Sequence, residues 1–123
     1  MKLRIRGNSI RLRLKRGEVE GLAAGNKLIE ETEFPGAVFS YSLELSDDED
    51  MAASFENGRI EISMPREIIP EWADTDLVTL YTEQELSGDG KLELLVEKDF
   101  TCLEPGHHRN CEDDQDTYPH PSA

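Results

Sequence analysis

Two cysteines and two histidines near the C-terminus are the residues whose types and spacing best suit metal chemistry. Cys102, His107, His108 and Cys111 form the pattern C-x4-H-H-x2-C, which offers thiolates and imidazoles to a tetrahedral zinc ion. A neighbouring carboxylate could complete the ligand set. The pattern lacks the paired C-x2-C spacing of common zinc motifs. The alternative is therefore an acidic tail in which these side chains bind nothing.

Cys102 is also a candidate for a reactive thiol. Lys98 precedes it and His107 follows it, and a nearby cation favours the nucleophilic thiolate. Asp99 and Glu104 act in the opposite direction, because a carboxylate disfavours a second negative charge beside it. The sequence favours a Cys102 that packs as a small apolar side chain, as most free cysteines do.

A run of carboxylates follows, at Glu112, Asp113, Asp114 and Asp116. It lacks the alternating acids, the central glycine and the later glutamate of an EF-hand calcium loop. Among 27 acidic residues, no pair stands out as a general acid and base. We interpret the run as solvated.

Four arginines at alternating positions near the N-terminus form a second candidate site: Arg4, Arg6, Arg11 and Arg13. Guanidinium groups bind carboxylates and phosphates through paired hydrogen bonds. No glycine-rich phosphate loop accompanies them, and residues 1–33 hold no aromatic side chain that could stack on a base. The predicted ligand is a small anion or an acidic protein. The alternative is neutralisation within the chain, by acidic strands, by the acids at 30–33, or by the acidic tail.

Charge is distributed very unevenly along the 123 residues. Residues 1–16 carry seven cations and no anion, whereas the remainder carries six cations and 27 anions, for a net charge of −14. The body of such a protein repels nucleic acid and anionic membranes. No apolar run is long enough to span a bilayer, and no apolar segment follows the basic N-terminus as in a secretory signal. The predicted location is the cytoplasm, where cysteines stay reduced.

The elements that must position these residues are mainly strands, because the dominant sequence period is two. Apolar residues alternate with cations on both sides of Gly7-Asn8, and the alternation changes phase there. A two-residue turn would place Ile5 opposite Ile10 and Leu3 opposite Leu12. A bulge within one long strand is the alternative. The hairpin also sets arginine against arginine, which is destabilising without an anion above them.

The rest of the chain supplies further strands and two short helices. Asn57-Gly58 predicts a type I′ hairpin turn, with Phe55 opposite Ile60 and Ala53 opposite Ile62. Residues 16–24 and 66–73 are predicted as the helices, and no internal repeat is evident. The predicted strands cover residues 27–34, 37–45, 77–82 and 92–96, besides the two hairpins.

The predicted fold class is β-rich α+β, with about seven strands and two short helices. Short connections between consecutive strands favour an antiparallel curved sheet or a partly open barrel. We expect residues 1–98 to form a single domain and residues 99–123 to form an acidic tail with Cys, His and Pro. Trp72 and the pair Phe39 and Tyr41 are expected in the core, although such residues could also line a small-molecule pocket.

The sequence resembles a family of small bacterial proteins known only as a domain of unknown function. The opening block K-L-R-I-R-G-N-S-I-R-L-R-L is the most distinctive part, and V-E-K-D-F-T-C marks the end of the last strand. The insert His107–Cys111 departs from the pattern. Residues that carry the resemblance lie at 2–14, 18–19, 69–73, 75–76, 96–100, 102–103, 112–113, 116 and 118–119. It implies a free-standing small protein and assigns no activity.

The interpretation that the sequence favours is a non-enzymatic binding or interaction module. Its cationic strand face would meet an acidic partner, a small anion or the acidic tail, with no nucleic acid, membrane or cofactor involved. The alternative is a metal-binding or thiol-dependent protein that uses the Cys102–Cys111 segment, with zinc as the expected ion. A third hypothesis is a structural subunit that pairs with itself through an exposed strand edge.

Overall fold

The computed structural model describes residues 1–74 and 78–99. A single 3₁₀ turn, Arg66–Ile68, leads directly into the second helix. The strands and helices are β1 (Lys2–Arg6), β2 (Ser9–Leu14), α1 (Arg16–Ala23), β3 (Leu28–Phe34), β4 (Ala37–Ser46), β5 (Ala52–Glu56), β6 (Arg59–Pro65), α2 (Ile69–Ala73), β7 (Thr79–Glu85) and β8 (Lys91–Lys98).

The described strands form two four-stranded sheets, and neither closes into a barrel. Sheet A has the order β1-β2-β8-β7, and sheet B has the order β3-β4-β6-β5. The β-rich class and the two short helices are confirmed, but the expected antiparallel sheet is only partly correct. Each described sheet consists of two antiparallel hairpins whose inner strands, β2 with β8 and β4 with β6, run parallel. Short connections predict the hairpins, but not which hairpin lies beside which.

Both predicted hairpin turns are present with the predicted registers. Ile5 pairs with Ile10 across the first turn, where Gly7 has a positive φ of 55°. Phe55 pairs with Ile60 across the second turn. Asn57 and Gly58 there have φ values of 53° and 75°, as a type I′ turn requires.

The two halves of the chain repeat one arrangement, hairpin–helix–hairpin, which the sequence analysis missed. The first half runs β1-β2-α1-β3-β4, and the second half runs β5-β6-α2-β7-β8 in the same order. Each strand of sheet A therefore corresponds to a strand of sheet B. Over the first hairpin and the helix the offset is 50 residues, as from Ile10 to Ile60 and from Leu22 to Trp72. Arg16 and Ala23 match the identical residues Arg66 and Ala73 at this offset, but few other positions do. The shared topology is therefore much clearer than the shared sequence.

The core lies between the inner faces of the two sheets. The four inner strands all run towards the helices. β2 leads into α1 and β6 leads into α2, the two helices contact each other, and β8 and β4 run parallel to β2 and β6. Leu22 of α1 and Trp72 of α2 are fully buried and cover one end of the core, here called the closed end. Ile5 and Phe55 lie at the other end, here called the open end, and are 54% and 70% exposed.

One side chain ties the two sheets together at their edges. Gln84 of β7 accepts a hydrogen bond from the backbone N–H of Ala53 at 2.7 Å and donates one to its carbonyl at 3.1 Å. Ala53 belongs to β5, the edge strand of sheet B, so the side-chain amide takes the place of a neighbouring strand. These two hydrogen bonds therefore join the edges of the two sheets, although β7 and β5 do not pair through their backbones.

Candidate functional site

The predicted arginines lie together on the outer surface of sheet A. Leu12 and Leu14 are fully buried, so the intervening side chains of β2 point away from the core. The register sets Arg4 opposite Arg11 and Lys2 opposite Arg13, as predicted from the first turn. The cationic face consists of Lys2, Arg4, Arg6, Arg11 and Arg13.

Glu97 of β8 neutralises one side of the cationic face. The parallel register places it beside Arg13, whose Nε donates to Glu97 Oε1 at 2.7 Å. The Nε of Arg11 lies 3.7 Å from the same oxygen, and Thr79 Oγ1 donates to the other at 3.2 Å. The Glu97 side chain is only 12% exposed. Its contacts therefore hold Arg13 and Arg11 against the sheet.

Asp99 provides a second carboxylate where sheet A reaches the closed end. Its Oδ2 lies 3.2 Å from Lys2 Nζ, and the side chain is 8% exposed. The backbone N–H of Asp99 donates to the carbonyl of Leu14 at 2.8 Å, which continues the β2–β8 pairing by one residue. The end of β8 thus brings a carboxylate back to the first strand of the chain.

Arg4 and Arg6 remain as the exposed part of the cationic face. Among the residues that the structure describes, neither makes an ion pair or a side-chain hydrogen bond. With Ser9, Arg11 and Glu93 they line a shallow cavity of about 280 Å³. Five cations on the face meet three described carboxylates, Glu93, Glu97 and Asp99, so two positive charges are in excess there.

The central row of sheet A continues from the arginines into apolar side chains. Arg11 lies beside Leu95 of β8, and Leu95 lies opposite Tyr81 of β7. Tyr81 is 52% exposed. The next row towards the open end is acidic, because Glu83 lies opposite Glu93. Leu95 and Tyr81 carry no sequence signal that connects them with the arginines, since only the strand pairings of sheet A place them side by side.

The expected neutralisation by acids 30–33 is wrong. These residues belong to β3 in sheet B, and β3 pairs with β4. The carboxylate of Glu30 lies 3.5 Å from the amino group of Met1, which also contacts Glu18. Within the described residues, the carboxylates on the cationic face come from β8 and from Asp99.

The predicted metal ligands belong to the C-terminal segment of the chain. Cys102, His107, His108 and Cys111 lie outside the described residues, as does the acidic run at 112–116. Within residues 1–74 and 78–99, no three His, Cys, Asp or Glu side chains converge in a way that suits a metal ion. The zinc hypothesis and the division at residue 98 stay predictions.

The aromatic residues lie mainly where a core requires them. Trp72 is fully buried, and its Nε1 donates to the carbonyl of Val78 at 3.1 Å. The rings of Phe39 and Tyr41 are 6.3 Å apart. Tyr41 Oη donates to the carbonyl of Met1 at 3.0 Å, whereas Phe39 lines an apolar groove at the open end. The tryptophan is part of the core, as expected.

The sequence was compared with family models, with curated proteins and with solved structures. The model of a family of unknown function, DUF7009, matches residues 1–122. The chain belongs to this family. Neither the curated proteins nor the solved structures gave a match. Among the described residues of this DUF7009 member, no helix is long and apolar enough to cross a membrane.

Proposed function

We propose that this DUF7009 protein is a non-enzymatic binding module whose cationic face binds a carboxylate-rich segment of a partner protein. One observation carries the proposal. Arg4 and Arg6 are exposed without a described ion-pair partner, although Glu97 and Asp99 neutralise the rest of the same face. The Cα atoms of alternate residues on one strand lie roughly 7 Å apart, so two arginines at this spacing suit carboxylates on an extended segment.

A protein partner fits the surface better than a small anion does. The row from Arg11 through Leu95 to Tyr81 sets cations beside exposed apolar area. Tyrosine and arginine are enriched in protein interfaces because each offers a large contact area together with hydrogen bonds. A small anion would use the arginines and leave Leu95 and Tyr81 in water.

The same surface disfavours nucleic acid as the partner. Glu93 lines the same cavity as Arg4 and Arg6, and Glu83 lies opposite Glu93 on β7, so this part of the surface would repel successive phosphates. The net charge of −14 adds repulsion at longer range. We place the protein in the bacterial cytoplasm, where Cys102 and Cys111 would be thiols.

The test is the binding of a fluorescent oligoglutamate peptide, followed by fluorescence anisotropy at several salt concentrations. We expect the variant R4Q/R6Q to bind about tenfold more weakly or worse, because it loses two charge-assisted contacts. The matched control is K27Q/R59Q, which removes the same charge from residues outside the cationic face. We expect it to bind within about twofold of the wild type.

Three results would contradict the proposal. The wild-type protein could fail to bind the peptide, or the two double variants could lose affinity equally, which would show general charge attraction only. Displacement of the peptide by a DNA duplex at lower concentration than by unlabelled peptide would identify nucleic acid as the preferred ligand.

A further inference from the structure

An apolar groove of about 460 Å³ lies at the open end, where the two sheets diverge. Three of the seven large apolar side chains that are exposed in the described residues line it, namely Ile5, Phe55 and Leu86. The remaining wall comes from both sheets: Ile10, Phe39, Ala53, Ser54, Ile60, Gln84 and Leu92. At the closed end, by contrast, Leu22 and Trp72 are fully buried.

The groove lies between equivalent parts of the two halves of the chain. Ile5 corresponds to Phe55 and Ile10 corresponds to Ile60, so each half contributes the end of its first hairpin. The two hairpins therefore present similar apolar side chains on either side of one opening.

The chemistry of the lining indicates an apolar occupant. Gln84 carries the most strongly polar side chain in the wall, but both ends of its amide are hydrogen-bonded to the backbone of Ala53. A polar ligand would have to break these bonds or leave its own groups unpaired, which costs free energy. A hydrocarbon or aromatic group fills the groove without this cost.

We propose that the open end is the interface of a symmetric homodimer, in which Phe55 of each copy enters the groove of the other. Phe55 is 70% exposed beside the opening, so each molecule carries both the protruding ring and the cavity that receives it. A two-fold axis through the contact satisfies both insertions at once, because a symmetric interface uses one surface twice. The proposal does not depend on the acidic-partner function.

Charges at the two hairpin ends favour a second copy as the occupant. Arg6 is the last residue of β1, and Glu56 is the last residue of β5. Both are exposed, and neither forms an ion pair within the described residues, although Arg59 lies opposite Glu56 across the second turn. When the first hairpin of one copy faces the second hairpin of the other, Arg6 meets Glu56 on both sides of the axis. A hydrocarbon ligand would form neither of these ion pairs.

Sedimentation velocity over micromolar to submillimolar concentrations tests the proposal on the full chain. We expect a concentration-dependent species of twice the 13.9 kDa monomer mass. We expect the variants F55S and I5S to raise the dimer dissociation constant by about tenfold or more, since each loses a buried apolar side chain. The matched control is I29S, because Ile29 is 55% exposed on the other side of sheet B. Circular dichroism confirms that the variants are folded.

A charge exchange tests the orientation of the two copies. We expect R6E to weaken the dimer and R6E/E56R/R59E to restore it, because the triple variant recreates the opposite pairing between the copies. The third exchange keeps opposite charges at positions 56 and 59, which face each other across the second turn. A monomer over the whole concentration range, an equal effect of I29S and I5S, or no recovery in R6E/E56R/R59E would overturn the proposal. Oligoglutamate binding by F55S separates the two proposals: the dimer pairs Arg6 with Glu56 of the second copy, so loss of the dimer should leave peptide binding through Arg4 and Arg6 unchanged or stronger.

Discussion

Arg13 and Glu97 lie beside each other on parallel strands, and Arg13 Nε donates to Glu97 Oε1 at 2.7 Å. The two residues are 84 positions apart, near opposite ends of the described chain. The pair joins the first hairpin to the last one on the outer surface of sheet A. It also fixes which arginines are neutralised within the chain and which are left for a partner.

Removal of the Glu97 charge should therefore lower stability and increase anion binding together. We expect E97Q to reduce the free energy of unfolding by about 1–3 kcal/mol, because Arg13 and Arg11 lose a largely buried partner. The same variant should bind oligoglutamate more tightly, since both guanidinium groups become available. Urea unfolding and anisotropy measure the two effects.

E93Q is the matched control for this prediction. Glu93 lies on the same strand, is exposed and has no ion-pair partner among the described residues. We expect it to change the free energy of unfolding by less than about 0.5 kcal/mol. Equal destabilisation by E93Q and E97Q would show that Glu97 is not the specific anchor of the arginines.

The hairpins were predictable from the sequence because their information is local. The phase change at Gly7-Asn8 and the Asn57-Gly58 turn each fix a register within about ten residues. The pairing of β2 with β8 was not predictable, because alternating apolar and polar residues indicate a strand but not which strand lies next to it. The position of Glu97 beside Arg13 depends on that pairing, as does the row formed by Leu95 and Tyr81. The candidate arginines could thus be identified from sequence, but not their partners.

Substitutions in the two hairpin turns should differ in cost. A Cβ atom on Gly58 would lie 3.0 Å from the backbone carbonyl oxygen of Val38, in addition to the positive φ of 75°. A Cβ atom on Gly7 would meet nothing within 4 Å, although φ there is also positive. We expect G7A to cost about 1 kcal/mol from the backbone conformation alone, and G58A to cost more. Thermal unfolding of the two variants gives the comparison, and an equal loss would contradict it.

The bridge from Gln84 to Ala53 should contribute measurably to stability. We expect Q84A to lower the free energy of unfolding by roughly 1–3 kcal/mol, since it removes two hydrogen bonds between the sheets. Amide hydrogen exchange at Ala53 should become much faster, because its N–H loses its acceptor. The neighbouring variant E83A, on the outer face of the same strand, is the control and should leave that amide protected. Unchanged exchange at Ala53 in Q84A would refute the bridge.

Tyr41 should contribute stability that disappears at high pH. Burial raises the pKa of Tyr41 above its ordinary value of 10.0, and the carboxylates of Glu30 and Glu18 raise it further. The folded state therefore holds the phenolic proton more tightly than the unfolded chain does. The resulting stability is fully present below pH 10 and is lost as the pH rises through the folded-state pKa.

The variant Y41F tests whether this contribution to stability falls as the pH rises. At neutral pH we expect it to cost about 1 kcal/mol, because the hydrogen bond to the carbonyl of Met1 is lost. The difference between wild type and Y41F should shrink as the pH is raised above 10. Urea unfolding at a series of pH values measures it, and a difference that grows with pH would show that the phenolate is the favoured form.

Sheet A combines the first and last hairpins of the chain, whereas sheet B combines the two middle ones, and this predicts the order in which the sheets form. The inner pair of sheet B joins Ser40 to Arg59, a separation of 19 residues, whereas the inner pair of sheet A joins Arg13 to Glu97. The longer loop costs more entropy to close and slows its formation. Pulsed hydrogen exchange during refolding should protect β4 and β6 before β2 and β8. During synthesis on the ribosome, the first hairpin cannot pair with β8 until the last hairpin has been made. Its arginines have no carboxylate from β8 beside them before that point.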